Sequence, residues 1–186
     1  MSSMRIAGDQ ILVWHGFRKN RNMEKQQLQE AFEAFKADVK TLNLSTLDKS
    51  NKPRASYAPF VEDQDGSFYI FVSQLASHTQ DLLGSKEASI LLLEDEAKTR
   101  QIFARQRISY QCQIEIIREN DDAYVMQLNA LEKRFGNVVD LLRSLPDFVL
   151  FRLKPYEGQY VKGFGKAYKL VGADLKELEH ISPNAK

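Results

Sequence analysis

The sequence has little that could be cross-linked or inserted into a membrane. Its 186 residues include one cysteine, Cys112, so an intrachain disulfide is impossible and nothing requires an oxidising compartment. No apolar run approaches the roughly 20 residues that a membrane span needs, and the N-terminal ILVW is too short for a signal-peptide core. We therefore expect a cytoplasmic protein with no membrane partner.

The chain also lacks a net charge that would attract a polyanion. Its 26 Lys and Arg residues nearly balance its 25 Asp and Glu residues, so no field of one sign favours nucleic acid. Hydrophobic residues make up 43% and charged residues 27% of the chain, which is typical of a globular protein. The whole-chain composition therefore does not indicate a nucleic-acid partner, although local basic patches could still bind a phosphate or a carboxylate.

Several ligand motifs are missing. The sequence contains neither G-x-G-x-x-G nor a P-loop. One cysteine and three dispersed histidines cannot supply the spaced ligand pairs of a zinc site. The segment KGFGK has two interpretations: a β-bulge or tight strand crossing, or a close backbone approach to a ligand flanked by Lys162 and Lys166.

The N-terminal segment differs from the rest of the chain. Residues 1–22 show no clear hydrophobic period, and they are interpreted as a tag, an upstream start or a loosely packed arm that is non-native or disordered. Because His15 lies there, we assign it to no site. Met23 begins an amphipathic helical pattern, and residues 23–186 are expected to form a single domain.

After that helix the hydrophobic period changes to two residues, which indicates strands. Three strands joined by short turns are predicted, the second interrupted at Pro59 and the third ending in Ser73. A short helix then begins at Ser77 as its capping residue and ends near Gly84. The apolar run ASILLLED predicts a strand buried on both faces.

The second half of the chain also contains both predicted strands and predicted helices. A long strand is expected to place Ile108, Tyr110, Cys112, Ile114 and Ile116 on one face, and Cys112 is interpreted as a buried apolar residue. A helical region broken at Gly136, a two-strand hairpin and a closing helix over residues 172–181 follow. Consecutive antiparallel strands with peripheral helices predict a mainly β protein, a small barrel.

Three polar residues are expected to converge at one end of this meander. Arg54 begins a strand, Ser73 ends the next one and Ser77 begins a helix. An arginine fork and free helix N–H groups suit a phosphate or a carboxylate. A solvated arginine beside an ordinary helix start explains the same residues.

An ordered series of segments resembles a known family: SYAPF, SQLASHTQDL, LLLEDE, IFARQR, KRFG, DFVLFRLKP and VKGFGKAY. Over about three-quarters of the chain, it is similar to HugZ/HutZ-type haem-utilisation proteins, within the pyridoxamine 5'-phosphate oxidase-like, FMN-binding split-barrel superfamily. The resemblance implies a homodimer of split barrels with ligand sites at the dimer interface, and haem binding with haem degradation for iron acquisition. It also implies an alternative, an FMN-dependent oxidoreductase.

Under the flavin alternative, the resemblance implies that Arg54 and Ser77 hold the FMN phosphate. That hypothesis adds Ser73 to the phosphate site and Arg107 as a further candidate. His78 and Thr79 stand where the flavin enzymes have an arginine and a lysine. The loss of two cations facing a phosphate dianion weakens this alternative.

Under the haem alternative, the resemblance implies that Asp147 orients an axial histidine from the other subunit. The matching tail position holds Ala185, so His180 and His78 are the candidate ligands that remain. His180 is otherwise an exposed residue near the end of the closing helix, and His78 a helix-start residue that packs at the interface. Arg54 and Lys166 are candidates for contacts with the haem propionates. A third hypothesis is a ligand-poor barrel that serves as a chaperone or interaction module.

Overall fold

A computed structural model describes the backbone of residues 7–182 and the side chains of residues 22–182. The chain divides into two compact units at Asp38. The first contains helix α1 (Ala7–Asp38), which begins well before the predicted start at Met23. Residues 7–22 contain no proline, so helix propensity can extend the element without an apolar stripe. The side chain of His15 and the whole of Ala185 lie outside the described residues.

The second unit is built on one antiparallel sheet. Its strands are β1 (Thr41–Leu47), β2 (Pro53–Pro59), β3 (Val61–Glu62), β4 (Phe68–Ser73), β5 (Glu87–Leu93), β6 (Arg107–Ile117), β7 (Phe148–Gly163), β8 (Lys166–Val171) and β9 (Glu177–His180). They are ordered β2-β1-β5-β6-β7-β4-β3, with β8 on β7 and β9 on β8. The mainly β prediction and the strand break after Pro59 are confirmed.

The long strand β7 is shared by two parts of the sheet. One of its edges pairs with β6 from Leu150 to Val161. Its other edge pairs first with β4, through residues 148–153, and then with β8, through residues 158–163. Strand β2 also contacts β4, which brings the two ends of the curved sheet together. This branching at one strand gives the split barrel.

The helices lie between strands at the places that the turn residues indicate. They are α2 (Ser77–Gly84), α3 (Asp122–Phe135) and α4 (Val138–Arg143), with 3-10 turns at Glu96–Lys98 and Ile102–Ala104. The predicted break at Gly136 is confirmed, because that residue has φ +84° between α3 and α4. The prediction of Ser77 as a capping residue is wrong: Ala76 is the N-cap, and Ser77 is the first helical residue.

The closing helix predicted over residues 172–181 is also wrong. The chain turns at Gly172, which has φ +89°, and returns as β9. Leu178 pairs with Leu170, and His180 pairs with Tyr168. The outer edge of β8 therefore offers hydrogen bonds that a helix could not use, and this pairing overrides the local helical preference.

Two burial predictions also need correction. Only Ala88, Ile90 and Leu92 of β5 are buried, so that strand is covered on one face and half-covered on the other. Cys112 is fully buried as expected, whereas Ile116 is exposed. Helices α3 and α4 cover the opposite face at that end of β6, so Ile117 packs there instead.

Candidate functional site

Asp147, the residue that precedes β7, is held by the loop that follows β4. The Ser73 hydroxyl donates a short hydrogen bond to Oδ2 of Asp147. The backbone N–H of Gln74 donates to the carbonyl of Asp147 at 2.7 Å, and the N–H of Leu75 donates to Oγ of Ser73 at 3.1 Å. The Oδ1 atom of Asp147 has no hydrogen-bond partner among residues 22–182. The structure therefore fixes this carboxylate and leaves one oxygen available as an acceptor.

A second polar group lies between α2 and the β1–β2 hairpin. Nε of Arg54 donates to Oδ2 of Asp81 at 2.7 Å, and the Thr46 hydroxyl donates to the same oxygen at 2.8 Å. The Asp81 side chain is 5% exposed and the Arg54 side chain 39%. One carboxylate thus binds the inner side of the guanidinium group.

Arg54 and Asp81 border a shallow pocket of about 320 Å³. Its other lining residues are Asp48, Lys49, Ser50, Ser77 and Gln80. Gln80 also donates to the carbonyl of Gln74 at 2.8 Å, which joins α2 to the loop that holds Asp147. The predicted meeting of Arg54 and Ser77 is therefore present. Ser73 is not a lining residue of this pocket, and its hydroxyl bonds to Asp147 instead.

His78 and Thr79 turn away from solvent. Nε2 of His78 and Oγ1 of Thr79 are buried without a hydrogen-bond partner among residues 22–182. Burial lowers the pKa of His78 below its usual 6.5; the nearby Arg54 lowers it further, and Asp81 opposes the shift. The neutral form of the His78 imidazole is therefore favoured.

The other predicted site residues lie at the far end of β7. Arg107 begins β6 and donates to the carbonyl of Arg105 at 3.1 Å, and Lys166 begins β8 in an exposed position. Nε2 of His180 lies 3.2 Å from the carbonyl oxygen of Gly165, and its ring stands edge-on to Tyr168 with centroids 5.4 Å apart. His180 therefore lies on an exposed edge strand.

The candidate residues form two separate groups in one chain. His180 pairs with Tyr168, and Tyr168 pairs with Tyr160 of β7. From Phe148, next to Asp147, to Tyr160 the strand advances 12 residues, which is about 40 Å at about 3.3 Å per residue. Asp147 and His180 of the same chain are thus at opposite ends of the strand.

The KGFGK segment makes the turn between β7 and β8. The ladder is irregular between Val161 and Gly163, and Gly165 has φ +64°. This irregularity and the hairpin turn support the β-bulge interpretation. A larger open groove of about 540 Å³ lies on β6, β7 and β8, and its described lining residues include none of the predicted candidates.

Sequence reasoning missed Asp81 and Thr46. Asp81 precedes Leu82 in a short helix, and Thr46 occupies an ordinary position in an alternating strand. Neither residue carries a local motif. The 27 residues that separate Asp81 from Arg54 also hide the pairing from any local pattern.

Known proteins are similar to this chain in sequence and in fold. The model of the family described as pyridoxamine 5'-phosphate oxidase matches residues 28–162. The chain is 36% identical over 155 residues to "Heme oxygenase HutZ" from Vibrio cholerae, covering 83% of this chain and 88% of that protein. The chain belongs to the pyridoxamine 5'-phosphate oxidase family. Within that family it is of the HutZ type, as the resemblance implied.

Other relatives of this HutZ-type protein agree. "Non-canonical heme oxygenase HOZ, chloroplastic" from Arabidopsis thaliana is 30% identical over 136 residues, or 72% of this chain and 40% of that protein. The crystal structure of Vibrio cholerae HutZ, described as a haem storage protein, aligns with TM-score 0.68 and 32% identity over 78% of this chain and 96% of that one. Campylobacter jejuni ChuZ aligns with TM-score 0.75 and 26% identity over 87% and 66%.

In the described part of this HutZ-type chain, no helix is both long and apolar enough to span a membrane.

Proposed function

We propose that this HutZ-type protein binds haem at a site shared by two copies of the chain. The relative with 36% identity is named a haem oxygenase and its crystal structure a haem storage protein, which supports haem as the ligand. The observation that carries the proposal is the carboxylate of Asp147, which is fixed by Ser73 and keeps Oδ1 available.

A fixed carboxylate with a free oxygen suits a particular task in a haem site. A histidine that ligates iron through one ring nitrogen donates its other N–H to an acceptor, which sets the orientation and basicity of the ring. Oδ1 of Asp147 would accept that N–H. Since His180 of the same chain lies at the other end of β7, a ligand near Asp147 would come from His78 or from a second copy.

We extend the proposal to haem degradation, because two relatives are named haem oxygenases. Bound haem supplies an iron centre for oxygen chemistry on its own macrocycle. This chain would orient the ligand through Asp147 and restrict the access of solvent. Arg54 and Lys166 remain the candidates for contacts with the anionic edge of the haem.

FMN, the alternative ligand, fits these residues less well. The guanidinium group of Arg54 already contacts the carboxylate of Asp81. The two positions that carry cations in the flavin enzymes hold His78, whose neutral form is favoured, and a fully buried Thr79. A phosphate dianion would therefore meet few uncompensated positive charges.

Titration of the purified protein with haemin, followed by absorption, tests the proposal. We expect a sharp Soret band that saturates, because a defined axial ligand gives a defined spectrum. Size-exclusion chromatography of the loaded protein should show the band on a dimer. A titration without a Soret shift would refute haem binding, and a band on a monomer would refute the shared site. A spectrum that stays blank with haemin and with FMN would favour the interaction-module hypothesis.

A further inference from the structure

The pocket beside α2 is lined by a buried carboxylate, that of Asp81. Asp81 is 5% exposed, and Oδ2 accepts hydrogen bonds from Nε of Arg54 at 2.7 Å and from the Thr46 hydroxyl at 2.8 Å. Asp48 is a second carboxylate on the pocket wall, and the cations there are Arg54 and Lys49. The lining charges of the pocket therefore cancel before any ligand arrives.

The two carboxylates are held in place and cannot turn away easily. Oδ1 of Asp48 accepts the backbone N–H groups of Ser50 and Lys52 at 2.8 and 2.9 Å. Asp81 is buried, so water and salt screen its charge less than they screen a surface charge. A phosphate group, which carries about −1.5 to −2 charges at neutral pH, would enter against both carboxylates.

We propose that Asp81 is the residue that makes this pocket reject phosphorylated ligands. It occupies the inner side of Arg54 in the way that a ligand oxygen would, and its negative charge repels a phosphate. Removal of that charge alone, with its shape retained, should convert the pocket into an anion site built on Arg54 and Lys49. The inference depends on the pocket and not on haem binding, so either proposal can fail without the other.

The test compares FMN with riboflavin, which differ by the phosphate group. Their affinities are measured by flavin fluorescence for the unaltered protein and for Asp81→Asn, whose amide oxygen can still accept from Thr46. We expect the unaltered protein to bind both flavins weakly, and FMN no more tightly than riboflavin. The variant should bind FMN at least about tenfold more tightly than before, equivalent to about 1.4 kcal/mol, and its riboflavin affinity should not change.

Two further variants show whether the gain comes from this pocket. Asp140→Asn, on the exposed surface of α4, changes the net charge by the same amount and should leave FMN binding unchanged. Adding Arg54→Gln to Asp81→Asn should abolish the gain, since the phosphate would lose its main partner. An equal gain in Asp140→Asn would overturn the proposal, and so would no gain in a folded Asp81→Asn.

The FMN and riboflavin affinities of the unaltered protein still test the proposal if Asp81→Asn fails to fold. A clear preference for FMN over riboflavin in that protein would show that the phosphate is accepted with Asp81 present, and the proposal would then be wrong. An FMN affinity equal to or weaker than the riboflavin affinity would support it. If Asp81→Asn does not fold, Asp81→Ser, which is smaller and also uncharged, replaces it.

Discussion

The two ends of β7 differ in how their polar residues are held. At its start, Asp147 is bonded to the loop after β4, and Arg54 is bonded to a buried carboxylate. At its other end, Arg107 and Lys166 are exposed first residues of strands, and His180 lies on an edge strand. The first group is held by contacts with a loop and with a buried carboxylate, whereas in the second group Arg107 and His180 contact backbone carbonyls at the surface.

This difference favours the start of β7 as the place where a ligand is oriented. Orientation of a metal ligand needs a partner whose own position is fixed, and the loop between β4 and α2 supplies it. Exposed lysine and arginine side chains at the far end can still contact an anionic group, but they lose conformational freedom when they do so. Three experiments can break or sharpen the comparison.

The largest effect is expected from the residue that lies between the two ends. Phe151, the fourth of the 16 residues of β7, is fully buried where it pairs with Ile70 and Ile116. Phe151→Ala should lower the free energy of unfolding by about 3–5 kcal/mol, because it removes buried apolar surface and leaves a cavity. Urea denaturation measures this change.

Lys154→Ala, at an exposed position on the same strand, is the control. Its free energy of unfolding should stay within about 0.5 kcal/mol of the unaltered value. Equal free energies of unfolding for the two variants would show that the burial of Phe151 does not stabilise the strand that joins the two groups of residues.

An intermediate effect is expected from Asp147→Asn on haem affinity. The neutral amide is a weaker acceptor than the carboxylate, and loss of such a partner costs about 10–100-fold in metal affinity, or about 1.4–2.8 kcal/mol. Absorption titration with haemin measures it. His180→Ala is the matched change at the far end and should leave the affinity unaltered when His78 is the ligand. Loss of the Soret band in His180→Ala would instead identify His180 of the second copy as the ligand that Asp147 orients.

The smallest effect is a pH dependence that originates at His78. Burial is the main cause that lowers its pKa in the folded protein from 6.5, so the unfolded chain binds more protons as the pH falls through that value. The stability of the folded protein should therefore be full above pH 6.5 and decline below it. His78→Gln, which cannot take up the proton, should show a shallower decline in urea midpoints measured across this range. An unchanged slope in the variant would assign the decline to other groups.

Much of the fold could be predicted from local patterns. The alternation of LNLST and of ISYQC predicted β1 and β6, and Gly136 predicted the break between two helices. These features depend on a few neighbouring residues, so the sequence carries their signal directly. The family resemblance then pointed to Arg54 and Asp147 before any geometry was known.

The errors have a common physical origin. Residues 172–181 contain a helical spacing of leucines, but the free edge of β8 binds them as a strand. Ile116 and Ile117 are equally apolar, and the position of α3 and α4 decides which one is covered. In each case the stabilising free energy comes from pairing or packing with an element that is distant in the sequence, and no local pattern indicates it.

The sequence by itself determined the positions of most strands and turns, because periodicity and turn chemistry act over short distances. It also determined which polar residues are available for the candidate site. The tertiary structure alone decided that Asp81 pairs with Arg54, that Ser73 holds Asp147 and that His180 lies at the far end of β7. These contacts join residues 27 to 74 positions apart. They arise where the barrel closes, and only the packed sheet brings their ends together.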